Sequence, residues 1–205
     1  MKLLSCNVRV WFRDINPKSE HYWRKRMKNL AQLIENEKPD VLCLQELWWP
    51  ASKYVPKNYK RIGISLSHHI YIRQYAHKPI FVPQKQIWRL RWRLVQFRVW
   101  GYYDCAIVSV HMHWNKKILD RNIKMLNKHI LRPEAYLLAG DWNNPSDAIC
   151  LRGGVPLPDE PTFRNFDTGK EAKIDLAFYW GLLNVKGRIG PDVGSDHKPI
   201  IVRFD

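Results

Sequence analysis

Short apolar runs that each stop at a residue able to do chemistry constrain this chain more than any other feature. Leu3–Cys6 ends at Asn7, Val41–Leu44 at Gln45-Glu46, Ala106–Val110 at His111 and Tyr136–Ala139 at Gly140-Asp141-Trp142-Asn143. Ile174 is followed at once by Asp175, and Ser195-Asp196-His197 stands just before the last apolar run. Runs this short, rich in Val, Ile and Leu and bounded by polar or turn residues, read as buried strands. The strands expected are Leu3–Val10, Val41–Leu44, Cys105–Val110, Ala135–Ala139, Ile174–Phe178 and Ile200–Phe204.

Two helical patterns lie between strands. The first starts after Ser19 and runs to about Glu37, with Trp23, Met27, Leu30 and Ile34 at helical spacing and Pro39 beyond its end. The second runs from about Lys117 to Ile130, with Leu119, Ile123, Leu126 and Ile130 on one face and Pro133 beyond. Helices that join strands predict an α/β layered fold. With 205 residues, no repeat and no linker-like segment, one domain spanning 1–205 is the simplest organisation.

Gln86–Trp100 has another pattern. Trp88, Leu90, Trp92 and Leu94 alternate with Arg89, Arg91 and Arg93, the period of a half-buried strand with one basic face. After Leu94 the apolar set becomes Val95, Phe97 and Val99, which predicts a bulge or turn. The arginines suit either a solvated strand face or contact with phosphates. The net charge of +15 adds weight to an anionic partner, because a strongly basic protein attracts nucleic acid, anionic membranes or phosphorylated small molecules.

Other classes fall away. No apolar run reaches the length needed to cross a bilayer, and the N-terminus turns polar too soon for a secretory segment, so no membrane partner and a cytoplasmic or nucleic-acid-associated, unsecreted protein are expected. Cys6, Cys43, Cys105 and Cys150 form no C-x-x-C pair and read as reduced thiols, the first three in buried strands. Arg152-Gly153-Gly154 lacks the lysine and spacing of a phosphate-cradling loop.

If the strand ends share one rim, as ligand sites of layered α/β folds do, Glu46, Asp141, Asp175 and Asp196 bring four carboxylates together. Unpaired, they would repel and raise one another's pKa values. A hard divalent cation relieves this, and oxygen ligands favour Mg²⁺ or Mn²⁺ over zinc. His111-Met112-His113 puts two rings on one strand face, but Asn115 and Lys116 stand where a binuclear zinc site would need further ligands. His68-His69 has no other ligand type nearby and reads as structural or surface, and Trp48-Trp49-Pro50 as a packed loop or a cleft wall.

The ordered set Asn7, Gln45-Glu46, His111, Gly140-Asp141-Trp142-Asn143, Lys173-Ile174-Asp175 and Ser195-Asp196-His197, with Pro161-Thr162-Phe163 upstream of Lys173, resembles the endonuclease/exonuclease/phosphatase family, the DNase I-like fold. The resemblance spans Leu3 to Phe204 and implies a four-layered α/β sandwich, two packed mainly antiparallel or mixed sheets flanked by helices. It implies that Glu46 is the main metal carboxylate, with Asn7 and Asp196 close to the metal. Asp141, helped by Asn143, would orient and deprotonate the attacking water. His197 would contact the scissile phosphate, and Asp175 would fix its tautomer and favour imidazolium. His111 and Asn143 would donate to non-bridging oxygens. Lys116 could contact phosphate or begin a solvated helix, and Trp142 could touch substrate or support its loop from behind.

Family members act on DNA, RNA, lipid and small phosphoesters, so the substrate must be argued from this chain. The basic excess and the Arg/Trp segment favour DNA, cut endonucleolytically by a monomer to leave 3′-hydroxyl and 5′-phosphate ends. Abasic-site endonuclease or 3′ exonuclease activity is the alternative within that chemistry. Abasic-site enzymes usually carry an aromatic residue and Arg where this chain has Ala172 and Lys173, which weakens that alternative. A phosphatase of small or lipid phosphoesters and a silent nucleic-acid-binding module are the readings from other classes.

Overall fold

The computed structural model describes all residues except 11–14, 20, 64–67, 75–80, 85–94, 100–104, 130–134 and 152–153. The expected strand over Gln86–Trp100 is described only at Val95–Val99; Arg89, Arg91 and Arg93 lie outside the described residues.

β1 (Lys2–Asn7), β2 (Val41–Gln45), β3 (Tyr59–Gly63), β4 (His68–Arg73), β13 (Lys186–Ile189) and β14 (Ile200–Arg203) form one sheet, in the order β13-β14-β1-β2-β4-β3. The second sheet holds β5 (Phe81–Gln84), β6 (Val95–Val99), β7 (Cys105–His111), β8 (Ala135–Asp141), β9 (Val155–Leu157) and β12 (Asp175–Trp180), in the order β5-β6-β7-β8-β12-β9. β10 (Phe163–Arg164) and β11 (Glu171–Ala172) make a separate two-stranded ribbon. β1 with β2, and β7 with β8, run parallel, and each pair is joined through a helix: α1 (Trp23–Glu37) and α2 (Lys116–His129). A parallel pair needs such a crossover, which places one helix on the outer face of each sheet.

Three apolar clusters reveal the layers. Leu3, Val41, Cys43, Ile107, Leu137, Ala177 and Val202 pack between the sheets. Leu4, Leu42, Leu44 and Ile201 face Met27, Leu30 and Ile34 of α1. Val108, Leu138, Leu176 and Phe178 face Leu119, Ile123 and Leu126 of α2. Neighbouring residues of one strand thus enter opposite cores, which is why the inner strands read as continuous apolar runs rather than alternating ones. The result is the four-layered sandwich, helix, sheet, sheet, helix.

Boundaries differ from the expected ones for local reasons. α1 begins at Trp23 rather than after Ser19, because Ser19 is used in a turn, accepting from Tyr22 N at 3.1 Å through its carbonyl and from His21 N at 3.1 Å through its hydroxyl. It ends where Lys38 turns left-handed (φ 47°) ahead of Pro39. α2 is capped by Asn115, whose Oδ1 accepts from Lys117 N at 3.0 Å. β1 stops at Asn7, short of Val10, because Arg9 adopts φ 41°. β8 runs on through Gly140 and Asp141, so Asp141 is strand rather than loop. His68 and His69 are both buried in β4, which leaves the structural reading of that pair standing and removes the surface one. Cys6 and Cys43 are buried free thiols and Cys150 is an exposed one.

Candidate active site

The site lies where the C-terminal ends of β1, β2, β7 and β8 meet at one rim. Parallel pairing sets Asn7 beside Gln45 in one sheet and His111 beside Asp141 in the other. Antiparallel pairing then sets Asp175 directly against Asp141. Three strand ends therefore place His111, Asp141 and Asp175 side by side.

Gly140 makes this approach possible. It has φ 150°, and a Cβ there would lie 1.9 Å from the Val110 carbonyl oxygen of β7. Two functional residues, Glu46 (φ 54°) and Asn143 (φ 51°), adopt left-handed backbone without being glycine. Such conformations cost on the order of 1–3 kcal/mol each and persist only where surrounding contacts hold them. Val10 N donates to the Glu46 carbonyl at 3.1 Å, and Asn143 N donates to Asp141 Oδ1 at 2.8 Å.

Two groups meet at Asp141. On one side, Asn7 Nδ2 donates to Glu46 Oε1 at 3.0 Å and to Asp141 Oδ2 at 2.9 Å. His111 Nε2 lies 3.7 Å from Glu46 Oε1 and 3.6 Å from Asp141 Oδ2. On the other side, His197 Nε2 lies 3.9 Å from the same Asp141 oxygen, while its Nδ1 lies 2.8 Å from Asp175 Oδ2. Ser195 Oγ donates to the Asn7 carbonyl at 2.8 Å, tying the Ser195-Asp196-His197 segment to β1.

Burial sets the charges. It raises Asp141 to about 6, against the lowering influence of His197 and His111 and hydrogen bonding from Asn7. Burial likewise raises Asp175, opposed by its contact with His197. For His197, burial pulls downward, but the carboxylates of Asp175, Asp141 and Asp196 prevail and lift it to about 10. The ring is therefore an imidazolium at neutral pH, with Asp175 as its partner.

The donor set fits a hard divalent cation. One ligand atom from each of Glu46, His111 and Asp141 lies within 4.8 Å of the others, and the Asn7 amide joins both carboxylates. Two carboxylates and a single imidazole, without a thiolate, suit a hard divalent cation, and the Asn7 amide nitrogen, donating to both carboxylates, positions them.

The structure gives further contacts of the expected residues. Asp196 is held by Arg9, whose Nη1 donates to its Oδ2 at 2.6 Å. Arg9 sits two residues past Asn7, and nothing in its own sequence context marks it out. Asn143 Nδ2 donates to the Met112 carbonyl at 2.9 Å and to Asp141 Oδ2 at 3.2 Å, so its amide holds the loop together rather than facing outward. Trp142 is completely buried, donates Nε1 to the Leu176 carbonyl at 3.1 Å and packs edge-on against Phe178. It supports the loop from behind. Lys116 is a solvated helix start, 71% exposed and 3.8 Å from Asp120. The His113 ring lies tilted against Trp114, and His113 Nδ1 accepts from Asn115 N at 2.8 Å.

The Pro161-Thr162-Phe163 segment contributes a residue to which the sequence alone assigns no role. Thr162 Oγ1 accepts from Ile174 N at 3.1 Å and Asp175 N at 2.8 Å, fixing the start of β12. Phe163 lies against the His197 ring at 4.9 Å between centroids and shields it. The segment's resemblance to a family pattern is its one signal in the sequence.

Comparison with known proteins agrees with this geometry. The family model for the Endonuclease/Exonuclease/phosphatase family matches residues 6–197. No curated protein matches the chain. Among solved structures, truncated Caenorhabditis elegans TDP2 superposes with a TM-score of 0.74 at 16% identity, covering 99% of this chain and 96% of that one. D. rerio TDP2 complexed with a single-strand DNA product gives 0.75 at 16% identity, covering 100% and 98%. An endonuclease/exonuclease/phosphatase family protein from Bacteroides thetaiotaomicron gives 0.72 at 20% identity, covering 98% and 96%. At these identities the structural likeness speaks for the fold alone.

Proposed function

This chain belongs to the endonuclease/exonuclease/phosphatase family of metal-dependent phosphodiester hydrolases, and from that premise we propose that it is a Mg²⁺-dependent endonuclease that nicks DNA, leaving 3′-hydroxyl and 5′-phosphate ends. One observation carries the reading: Asp141 Oδ2 lies between a Glu46–His111–Asn7 group and the His197–Asp175 pair, 3.6 Å from His111 Nε2 and 3.9 Å from His197 Nε2. A phosphodiester set against Asp141 would meet both groups at once. The choice of DNA rests on the net charge of +15 and on the precedent of a same-fold protein bound to a single-strand DNA product.

Glu46 and Asp141, with Asn7 bridging them, would hold the Mg²⁺, which when bound supplies Lewis-acid charge at the phosphoryl oxygen. Asp141, whose Oδ2 faces both histidine rings, would orient the attacking water and take its proton. His197, kept cationic by Asp175, neutralises charge that grows on the non-bridging oxygens. His111, half-buried between two carboxylates, offers a second donor to that phosphate. Asp196, paired with Arg9, adds negative charge near His197.

Purified protein with Mg²⁺ is expected to nick supercoiled plasmid, and EDTA to stop it. Glu46→Ala removes the reaction, and His197→Ala slows it by about 10²–10⁴-fold, the usual worth of a positioned acid–base group. Equal nicking in EDTA overturns the metal assignment. Unimpaired nicking by both variants places the active site elsewhere.

A further inference from the structure

Beyond the catalytic cluster, a cavity of about 250 Å³ opens beside the turn of 3₁₀ helix at Trp49–Tyr54, lined by Trp49, Lys57, Tyr59, Arg61 and Tyr71 together with Ser52 and flanking apolar side chains. We propose that it is a subsite for a nucleotide of the DNA strand that passes through the catalytic cleft, the base lying against Trp49 and its phosphate against Lys57 and Arg61. This rests on the DNA reading and adds to it a second, non-catalytic point of contact.

Four observations carry the assignment. Trp49 is 73% exposed, and among the described residues no aromatic ring covers it. Its neighbour Trp48 is exposed as well, so two exposed indoles stand beside the concavity. Lys57 and Arg61 make no ion pair among the described residues, and no carboxylate lines the cavity, so its charge is uniformly positive. The floor is pre-formed: Tyr59 Oη donates to the Pro39 carbonyl at 2.7 Å, and Tyr71 Oη lies 3.1 Å from His69 Nδ1. Burial raises both phenols, Tyr59 to well above its ordinary value and Tyr71 to about 12, so neither adds negative charge. An exposed aromatic platform flanked by cations is the usual construction of a single-strand contact.

The position also fits. Arg61 pairs with Tyr71, and Tyr71 with Leu42, three residues before Gln45 at the catalytic end of β2. Two strand spacings and three residues of rise put Arg61 roughly 14 Å from that end. That is about four nucleotides of one strand. Trp49 itself stands three residues beyond Glu46.

The test compares the full-length protein with a Trp49→Ala, Lys57→Gln, Arg61→Gln variant on three probes: a single-stranded oligonucleotide of about 12 residues, inside the usual footprint range, bis(p-nitrophenyl) phosphate, and anionic phospholipid vesicles. The variant should bind the oligonucleotide about five- to a hundredfold more weakly. Its salt dependence should flatten by about 0.7 in the log–log slope for each phosphate it no longer neutralises. Turnover of the small diester should stay unchanged, which also shows that the variant is folded. Oligonucleotide binding and salt slope equal to wild type overturn the subsite while leaving the DNA reading intact. A wild-type protein that hydrolyses the small diester but neither binds nor cuts any DNA overturns the DNA reading and the subsite with it. Vesicle binding abolished in the variant, with DNA binding untouched, assigns the cavity to a membrane surface and overturns the proposal.

Discussion

The Asp175–His197 contact determines how the site responds to pH. Burial alone would leave His197 neutral, and the carboxylates around it reverse that, lifting it to about 10 from an ordinary 6.5. A group whose folded pKa is raised stabilises the fold fully below its unfolded value, and that stabilisation is lost as pH rises from about 6.5 through about 10. Asp175→Asn removes the nearest anion, so the alkaline limb of kcat/KM should move to lower pH, with kcat/KM falling by about 10²–10⁴-fold. A pH–rate profile checks this; an unmoved limb would show that another group titrates there. Asp175 and His197 were both legible in the sequence, since each flanks an apolar run. Arg9 and Thr162 were not, because a lone Arg or Thr beside a strand has too many ordinary roles to mark a site. Their contacts, with Asp196 and with the start of β12, join segments more than a hundred and about a dozen residues apart in the chain.

At the scale of elements, the approach of β7 to β8 is the tightest constraint. A methyl group at Gly140 would collide with the Val110 carbonyl at 1.9 Å, so the two strands would have to part just where His111 and Asp141 face each other. Gly140→Ala is expected to cost at least about 3 kcal/mol, through overpacking and the unfavourable backbone, and to abolish activity. Gly169→Ala, where φ is +68° and no atom lies within 4 Å, should cost only about 1 kcal/mol. Urea midpoints of the two variants measure the difference, and equal midpoints would remove Gly140 from its structural role. Two of the strands missed in the sequence share a cause. β3 (Tyr-Lys-Arg-Ile-Gly) and β13 (Lys-Gly-Arg-Ile) lie at the edges of their sheet, where one flank is solvated and charge hides the pattern. β4 carries two histidines in its buried half, so it lacks an apolar run.

At the scale of the molecule, two helix-crossed parallel pairs bring two sheets face to face, and the catalytic rim spans both. Glu46 and Asn7 come from one sheet, His111, Asp141 and Asp175 from the other. A cation held by Glu46 and Asp141 would therefore link the sheets, and binding to the folded state alone stabilises it by mass action. Mg²⁺ at about a hundred times its Kd should raise stability by about 2.7 kcal/mol. The rise in Tm should vanish on EDTA treatment and in Glu46→Ala. Calorimetry or a thermal melt followed by circular dichroism reads this directly, and a Glu46→Ala protein still stabilised by Mg²⁺ would place the cation elsewhere.

By itself, the sequence determined the layered α/β class, the two helices, the inner strands and nearly every residue that the structure brings together at the rim. Those features are local: apolar period, a cap, and a polar residue where a buried run must stop. Only the tertiary structure decided which residues face one another, that Arg9 pairs with Asp196, that Asn143 donates its amide to the Met112 carbonyl and Asp141, and that Trp142 is buried behind its loop. These outcomes depend on distances between residues far apart along the chain, and on burial, which sets the charge of Asp141 and His197. No window of sequence contains that information, because it arises only when two sheets close on each other and exclude water.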